Sequence, residues 1–282
     1  MELISQISFG LFNGAVWGSV LALLSSGLNV VFGLMGTVNV AHGSFYMIGA
    51  FTSLVVFEGL GSFWPSLAIS PLVVGLLAVL VGAIIRPVRG KTLVAVMITF
   101  GAMLTLQGSA LIIWGSRPRR LPLPFMESFS VFGSGYSYYR LLVAAISGLV
   151  LLSLWFLLRR SSLGILLRAT RADSQLSQSI GIPVQKVNLI GFGLGGSLAG
   201  LSGSLMAPLV SLTPDMGLRI FATVFLIVIL GGLGRIWRAA LVAFVFAATR
   251  SLTTAFLDPT KGLILTFSIA ILAILFESGT GE

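Results

Sequence analysis

Apolar runs of about 20 residues recur along almost the whole chain, and they constrain its fold more than any other feature. A run of this length can cross the hydrocarbon core of a membrane as one α-helix. Hydrophobic residues make up 56% of the sequence and charged residues 9%, and the mean hydropathy is +1.06. This composition cannot supply the polar surface of a soluble domain. The sequence therefore predicts an all-α polytopic membrane protein.

Glycine, proline and charged residues divide the apolar sequence into about nine spans, which we assign to a single transmembrane domain, 1–282. Four spans are expected in repeat one, 9–114, one linker span in 141–158, and four more in repeat two, 187–276. Each repeat begins with a long glycine-rich span, followed by a polar break and a shorter span. Because one linker span separates the repeats, they have opposite orientations, and a transport path is expected at their interface. The alternative is that glycine-rich helices recur in any tightly packed bundle. The predicted spans are 9–32, 43–57, 66–85, 92–114, 141–158, 187–210, 220–230, 239–256 and 263–276.

The first polar break lies within residues 27–51 and places polar groups in an otherwise apolar stretch. Such groups are costly at membrane depth unless they are buried in protein or line a wet cavity. We therefore expect Asn39 and His42, the single histidine of the chain, to line a translocation path through broken helices. The alternative is a helix cap and turn at the membrane surface. The candidate pathway residues are Asn39, His42, Gly43, Ser44 and Tyr46.

The loop 159–187 carries five basic residues and one acidic residue, which places it in the cytoplasm. Its apolar residues recur at helical spacing, and Gly181 and Pro183 end the helical run. An amphipathic helix of this kind can lie on the membrane surface. It can also dock its apolar face into a groove of a partner protein.

Several classes of function are disfavoured by the rest of the sequence. The G-x-G-x-x-G pattern at 191–196 lies inside an apolar span without a preceding strand, so it indicates helix packing. The chain has one histidine, no cysteine and no cluster of acidic residues. We therefore expect neither a metal site nor a catalytic triad, and we expect that the chain is not an enzyme. The acidic residues fall at span ends or in loops, which disfavours a carrier driven by protons or sodium. A facilitative channel or carrier for a small neutral solute, such as urea or a short amide, stays open.

The stretch GLNVVFGLMGTVNVAHGSFYMIGAF resembles a signature of the LivH-type permease subunits of branched-chain amino acid ABC importers. That family typically shows N-[FL]-A-H-G-[ED]-x-Y-M-[LI]-G after a glycine-broken first span. Val40 stands where phenylalanine or leucine is usual, and Ser44 replaces the usual acid. The positions that agree in type and spacing are Asn39, Ala41, His42, Gly43, Tyr46, Met47 and Gly49.

Two further stretches are similar to the same family. Residues 161–187 resemble the segment by which these permeases engage their ATPase, and residues 228–240 carry glycines of the family pattern. Arg235 and Arg238 replace small residues there, and they either bind anionic lipid headgroups, which we expect, or face the ATPase. The resemblance implies ATPase coupling by Arg168, Ala169, Arg171, Asp173, Gly181 and Ile182.

The resemblance implies a permease subunit of an ABC importer in the bacterial cell (inner) membrane. It implies amino acids as the solute, branched-chain ones foremost, and alternating access as the mechanism. The implied partners are ATPase subunits that use ATP, a second permease that is identical or homologous, and an extracytoplasmic substrate-binding protein. Membrane lipid surrounds the chain, no nucleic acid is expected, and the chain itself should hold no cofactor. Nine spans with a cytoplasmic loop at 159–187 predict an external N-terminus and an internal C-terminus.

Overall fold

A computed structural model of the chain describes residues 2–36, 38–88, 90–125, 127–131, 134–256 and 258–279. Most of these residues are helical, so the predicted all-α polytopic membrane fold is confirmed. Within the described residues the α-helices are α1 (Glu2–Met35), α2 (His42–Leu60), α3 (Ser66–Ile85), α4 (Thr92–Trp114), α5 (Tyr138–Arg160), α6 (Ser162–Ala172), α7 (Ser174–Ser179), α8 (Val184–Met206), α9 (Met216–Gly231), α10 (Ile236–Phe256) and α11 (Pro259–Gly279).

In the part of the chain that the structure describes, seven helices are long and apolar enough to cross a membrane. They are α1 to α5, α8 and α10, while α9 and α11 contain shorter apolar stretches. All nine helices lie where the sequence predicts spans, and α3 and α4 have the predicted bounds. Helix α1 begins at Glu2, ahead of the predicted span, because polar residues outside the hydrocarbon can continue a helix. The exact number of membrane crossings stays a prediction.

The connection between α4 and α5 contains a short antiparallel hairpin that the sequence analysis did not predict. Its strands are β1 (Ser128–Val131) and β2 (Ser134–Ser137), and Phe129 pairs with Tyr136 across them. The ring of Tyr136 packs edge-on against Phe9 of α1, with the ring centroids 5.6 Å apart. This burial raises the pKa of the Tyr136 phenol above its ordinary value. Strands of four residues are too short for a convincing two-residue period in the sequence.

Glycines allow the longest helices to approach each other closely. Helix α1 packs antiparallel to α10, and α8 packs antiparallel to α3. The first helix of each predicted repeat thus lies against the third helix of the other. The predicted repeat boundaries remain untested by this packing. The close approaches are Gly10 to Leu252, Gly18 to Phe244, Gly82 to Phe192, and Gly200 to Val74.

The centre of the bundle is formed by α1 and α8, which are buried along most of their length. They cross at Gly27 and Gly195, where a Cβ atom on Gly27 would lie 2.8 Å from the Gly195 carbonyl oxygen. Helices α4 and α5 lie at the periphery and expose large apolar side chains, such as Ile112 at 87% exposure. In a chain with membrane-spanning helices these side chains face lipid.

We predict that Gly203→Ala destabilises the bundle, because its Cβ atom would collide with the backbone of α2 at Tyr46 and Ala50. Overpacking of this kind costs about 1–3 kcal/mol. The thermal unfolding midpoint of the purified chain should fall by roughly 2 °C or more. Gly148→Ala is the matched control, since a Cβ there meets no atom of the described chain within 4 Å. Equal midpoints for the two variants would contradict this packing.

Candidate functional site

The predicted polar break lies between α1 and α2 and is enclosed by protein. Gly36 follows the last turn of α1 with a φ of +69°, a left-handed conformation that glycine adopts without strain. The backbone N–H of Val40 donates to Thr99 Oγ1 of α4 at 3.2 Å, which ties the break to that helix. Asn39 and His42 are 0% and 1% exposed. Asn39 and His42 therefore belong to a junction that is buried within the protein.

Asn39 and His42 use half of their polar atoms to hold this junction together. Asn39 Oδ1 accepts a hydrogen bond from the backbone N–H of Ala41 at 3.1 Å. His42 Nε2 lies 3.0 Å from the carbonyl oxygen of Leu24 in α1, so this nitrogen carries the ring proton. Within the described residues, Asn39 Nδ2 and His42 Nδ1 have no hydrogen-bond partner. Buried polar atoms without a partner are uncommon, and these two can bond a polar group that enters the junction.

Gly43 and Ser44, two further candidates, lie in helix contacts. Gly43 packs against the backbone of Gly217 in α9, and a Cβ on Gly217 would lie 2.8 Å from the Gly43 carbonyl oxygen. Ser44 Oγ donates to the carbonyl oxygen of Met103 in α4 at 3.4 Å. The structure thus gathers four of the five candidates where α1, α2, α4 and α9 meet. Their predicted role along the pathway is a separate question from this packing and stays a prediction.

Tyr46, the fifth candidate, lines a cavity of about 750 Å³ that is also bordered by α1, α9, α10 and α11. The cavity lies at the end of the bundle opposite α6 and α7. Those helices lead into the first turn of α8, whereas Ser211 and Thr213 beside the cavity follow its last turns. Its volume is within the range of small-molecule sites. Its apolar wall includes Trp17, Val210, Ile220, Leu263 and Phe267.

Arg250 of α10 brings a positive charge to this cavity. Its guanidinium carbon lies 5.8 Å from the ring centroid of Trp17, so the cation rests over the indole face. Arg219, also at the cavity, is paired with Asp215 at 2.9 Å, whereas Arg250 takes part in no ion pair among the described residues. Arg250 is not among the site residues predicted from the sequence, although an arginine inside an apolar span is a signal of function.

Asn29 of α1 is a second residue that the sequence analysis missed. Its Oδ1 accepts a hydrogen bond from the backbone N–H of Gly234 at 2.6 Å, and its Nδ2 donates to the Gly232 carbonyl oxygen at 3.4 Å. One buried side chain therefore fixes the last turns of α1 to the α9–α10 connection. A buried amide within an apolar run is the signal that could have identified it.

The predicted coupling segment forms two helices instead of one run. Asp173 has an extended backbone that ends α6, and its Oδ1 accepts hydrogen bonds from the N–H groups of Gln175 and Leu176, both at 2.9 Å. An aspartate in this position caps the next helix, so it divides the segment. Helix α7 ends at Ser179, and Gly181 follows it with a φ of +84°. The N–H of Ile182 donates to the Ser177 carbonyl oxygen at 2.9 Å. This is the left-handed helix end that glycine favours.

The coupling candidates on α6 contact the centre of the bundle. Arg168 donates from a terminal guanidinium nitrogen to the carbonyl oxygen of Leu158 at 2.6 Å, which closes the α5–α6 turn. Arg171 lies against Gly36 at the α1–α2 break, and Ala169 is half-buried. Helix α6 packs against both α1 and α8. The structure thus places Arg171 of the predicted coupling segment beside the start of the α1–α2 break, which spacing along the sequence could not reveal.

Comparison with known proteins places these features in a wider context. The family described as the permease component of the branched-chain amino acid transport system matches residues 10–275. The chain is 27% identical to LivH of Escherichia coli (strain K12), a high-affinity branched-chain amino acid transport system permease protein, over 94% of this chain and 92% of LivH. It is 26% identical to the permease protein BraD of Pseudomonas aeruginosa, over 95% and 92% of the two chains. It is 29% identical to LivM of E. coli, over 88% of this chain and 64% of LivM. No solved structure matches the chain significantly.

We predict that Asp173→Ala frays α7, because two backbone N–H groups lose their acceptor. A lost cap costs about 1 kcal/mol, so the amides of residues 175–179 should exchange hydrogen about fivefold faster. Asp173→Asn is the conservative control, since asparagine caps helices equally well and should keep the original rate. Unchanged exchange in the alanine variant would show that the cap contributes nothing to α7.

Proposed function

Because the chain belongs to the family of permease components of branched-chain amino acid transport systems, we propose that it forms part of the translocation path of an ABC importer for amino acids. The chain is a membrane-spanning permease subunit and a multi-pass protein of the cell membrane, which is the inner membrane in bacteria that have two. The family match over 10–275 carries the proposal. Relatives named for branched-chain amino acid transport support that solute class and give no support to the neutral-solute alternative.

The cavity beside Arg250 has the chemistry that a branched-chain amino acid needs. The guanidinium of Arg250, which forms no ion pair among the described residues, can pair with an α-carboxylate, and arginine binds carboxylates with fixed geometry. Apolar residues of α9 and α11, such as Ile220 and Phe267, offer a surface for an aliphatic side chain. If the loop 159–187 is cytoplasmic as predicted, the cavity lies on the outer side, where an extracytoplasmic substrate-binding protein would deliver the solute.

The α6–α7 pair is the proposed docking site for the ATPase. Three of its apolar side chains face outward: Ile165 is 59% exposed, Leu176 60% and Ile180 69%. An apolar patch rimmed by polar residues is typical of a protein contact. ATP would be bound and hydrolysed on the partner subunit, and we propose no cofactor and no enzymatic activity for the chain itself.

The contacts of α6 suggest how the docking site and the path are linked. Motion imposed on α6 reaches α1 and α8 directly, and Arg171 touches Gly36 at the start of the break. Opening of the break would offer Asn39 Nδ2 and His42 Nδ1 to a passing solute. We propose that alternating access uses this junction and that a second permease subunit, identical or homologous, completes the path.

A transport assay tests the proposed function. The chain is reconstituted in liposomes with its ATPase subunits and second permease, and the substrate-binding protein is added outside. We expect uptake of radiolabelled leucine that requires ATP and that excess urea does not inhibit. ATP-independent urea flux through the chain, without leucine uptake, would overturn the proposal in favour of a neutral-solute channel.

We predict that Arg250→Gln lowers leucine uptake at least tenfold, because the carboxylate loses a charged hydrogen-bond donor worth about 1.5–3 kcal/mol. Assembly with the ATPase, measured by co-purification, should be unchanged, since Arg250 lies at the opposite end from α6 and α7. Arg219→Gln is the matched control: it removes an exposed ion pair of small value and should change uptake less than threefold. Equal losses in both variants would rule out a specific role for Arg250.

We predict that Leu176→Asp prevents ATPase docking, because an exposed leucine of α7 would be replaced by a charge that is costly to bury. Co-purification of the ATPase should fall at least tenfold. Gln175→Asp adds the same charge at the exposed neighbouring position and serves as the control. Retention of the ATPase by the Leu176 variant would favour the membrane-surface interpretation of α6 and α7.

A further inference from the structure

A second cavity, of about 370 Å³, lies at the end of α5 beside α6 and the α9–α10 connection. It is at the same end of the bundle as α6 and α7, away from the cavity lined by Tyr46. Its wall is strongly basic and aromatic. The charged and aromatic residues that line it are Trp155, Arg159, Arg168, Arg235, Trp237 and Arg238.

The charge of this cavity is not balanced within the described chain. The ion pairs among the described residues are Arg219–Asp215 and Lys261–Asp258. Neither pair includes any of the four arginines that line the cavity. The acid nearest in sequence, Asp173, uses Oδ1 to cap α7. A concave surface with several positive charges attracts an anion strongly.

Neighbouring contacts hold part of this wall in place. Arg168 is fixed by its hydrogen bond to the Leu158 carbonyl oxygen. Its guanidinium keeps further N–H donors for a ligand. The guanidinium carbon of Arg159 lies 5.2 Å from the ring centroid of Trp155, and the rings of Trp155 and Trp237 lie edge to face at 6.2 Å. These contacts define the positions of Arg159, Arg168 and Trp155 on the α5–α6 side of the cavity and of Trp237 on the α10 side.

Apolar surface continues from the cavity along the membrane-spanning parts of α5 and α10. On α5, Leu152 and Phe156 are 55% and 61% exposed, within about one turn of Trp155. On α10, Leu241 and Val245 are 63% and 67% exposed and follow Trp237 by one and two turns. Tryptophan is enriched at the boundary between headgroups and hydrocarbon. These exposed side chains form two apolar ridges, Leu152 and Phe156 on α5 and Leu241 and Val245 on α10. A ligand in the cavity therefore meets positive charge at one end and the apolar ridges at the other.

We propose that this cavity binds the phosphate headgroup of an anionic phospholipid, whose acyl chains lie along α5 and α10. Arg235 and Arg238 contact the phosphate from the α9–α10 connection, and Arg159 and Arg168 contact it from the α5–α6 turn. The apolar ridges select a lipid over a free anion, and a water-soluble protein partner would leave them uncovered. The inference rests on the cavity and its surroundings and does not require the proposed transport function.

Lipid binding is measured by native mass spectrometry of the full chain in a neutral detergent, titrated with dioleoylphosphatidylglycerol. We expect saturable binding, with dioleoylphosphatidylcholine at least tenfold weaker. The double variant Arg235→Gln/Arg238→Gln should bind phosphatidylglycerol about 30-fold more weakly, which corresponds to about 1 kcal/mol for each arginine. The variant Arg235→Lys/Arg238→Lys keeps both charges and should recover most of the affinity.

Three comparisons make the test specific. The double variant Arg117→Gln/Arg120→Gln removes two exposed arginines outside the cavity and should keep the original affinity. Inorganic phosphate at millimolar concentration should not compete, and effective competition would overturn the lipid assignment in favour of a free-anion site. Loss of ATPase co-purification in the Arg235/Arg238 glutamine variant, with lipid affinity unchanged, would overturn it in favour of a protein contact. A monodisperse size-exclusion profile for each variant confirms that the chain is folded.

Discussion

The hydrocarbon of a membrane offers no hydrogen bonds to a broken helix, and the rest of this structure depends on that constraint. The α1–α2 break exists because protein groups replace water: Asn39 Oδ1 accepts from Ala41, and Thr99 Oγ1 accepts from Val40. These partners come from the break itself and from α4, so neighbouring helices must enclose it. Close approach through glycines such as Gly43 provides the enclosure.

The last turns of α1 are held from two directions, and this makes them the natural point of coupling. Asn29 fixes them to the α9–α10 connection through both of its polar atoms. Arg171 of α6 lies against Gly36, where α1 gives way to the break. A displacement of α6 therefore acts on a helix end that is tied to the second half of the chain. With the ATPase docked on α6 and α7 as proposed, movement of α6 would be transmitted to the junction and to the α9–α10 connection together.

The sequence predicts the helices well and the contacts poorly, for physical reasons. Membrane spans are long apolar runs, so the bounds of α3 and α4 follow from where the apolar runs begin and end in the sequence. Asp173 ends one helix and caps the next, and this local signal was outweighed by the periodicity around it. The placement of Arg250 over Trp17, and of Arg171 beside Gly36, depends on helix packing. No local pattern encodes such distances. The candidate residues at 39–46 were selected for their polarity, and polarity cannot distinguish a cavity wall from a buried junction.

The excess of positive charge has different consequences at the two ends of the bundle. The chain has 17 Lys and Arg but only 8 Asp and Glu, so most cations cannot find an acid within the chain. At the end near Tyr46, Arg250 is enclosed by apolar walls, and an anion that pairs with it must enter the cavity. At the other end, the arginines around Trp155 and Trp237 border exposed apolar ridges, so an anion with a hydrocarbon part can contact both the charges and the apolar surface. The positions of these unbalanced charges underlie both proposals, a zwitterionic solute beside Arg250 and a bound lipid beside Trp155 and Trp237.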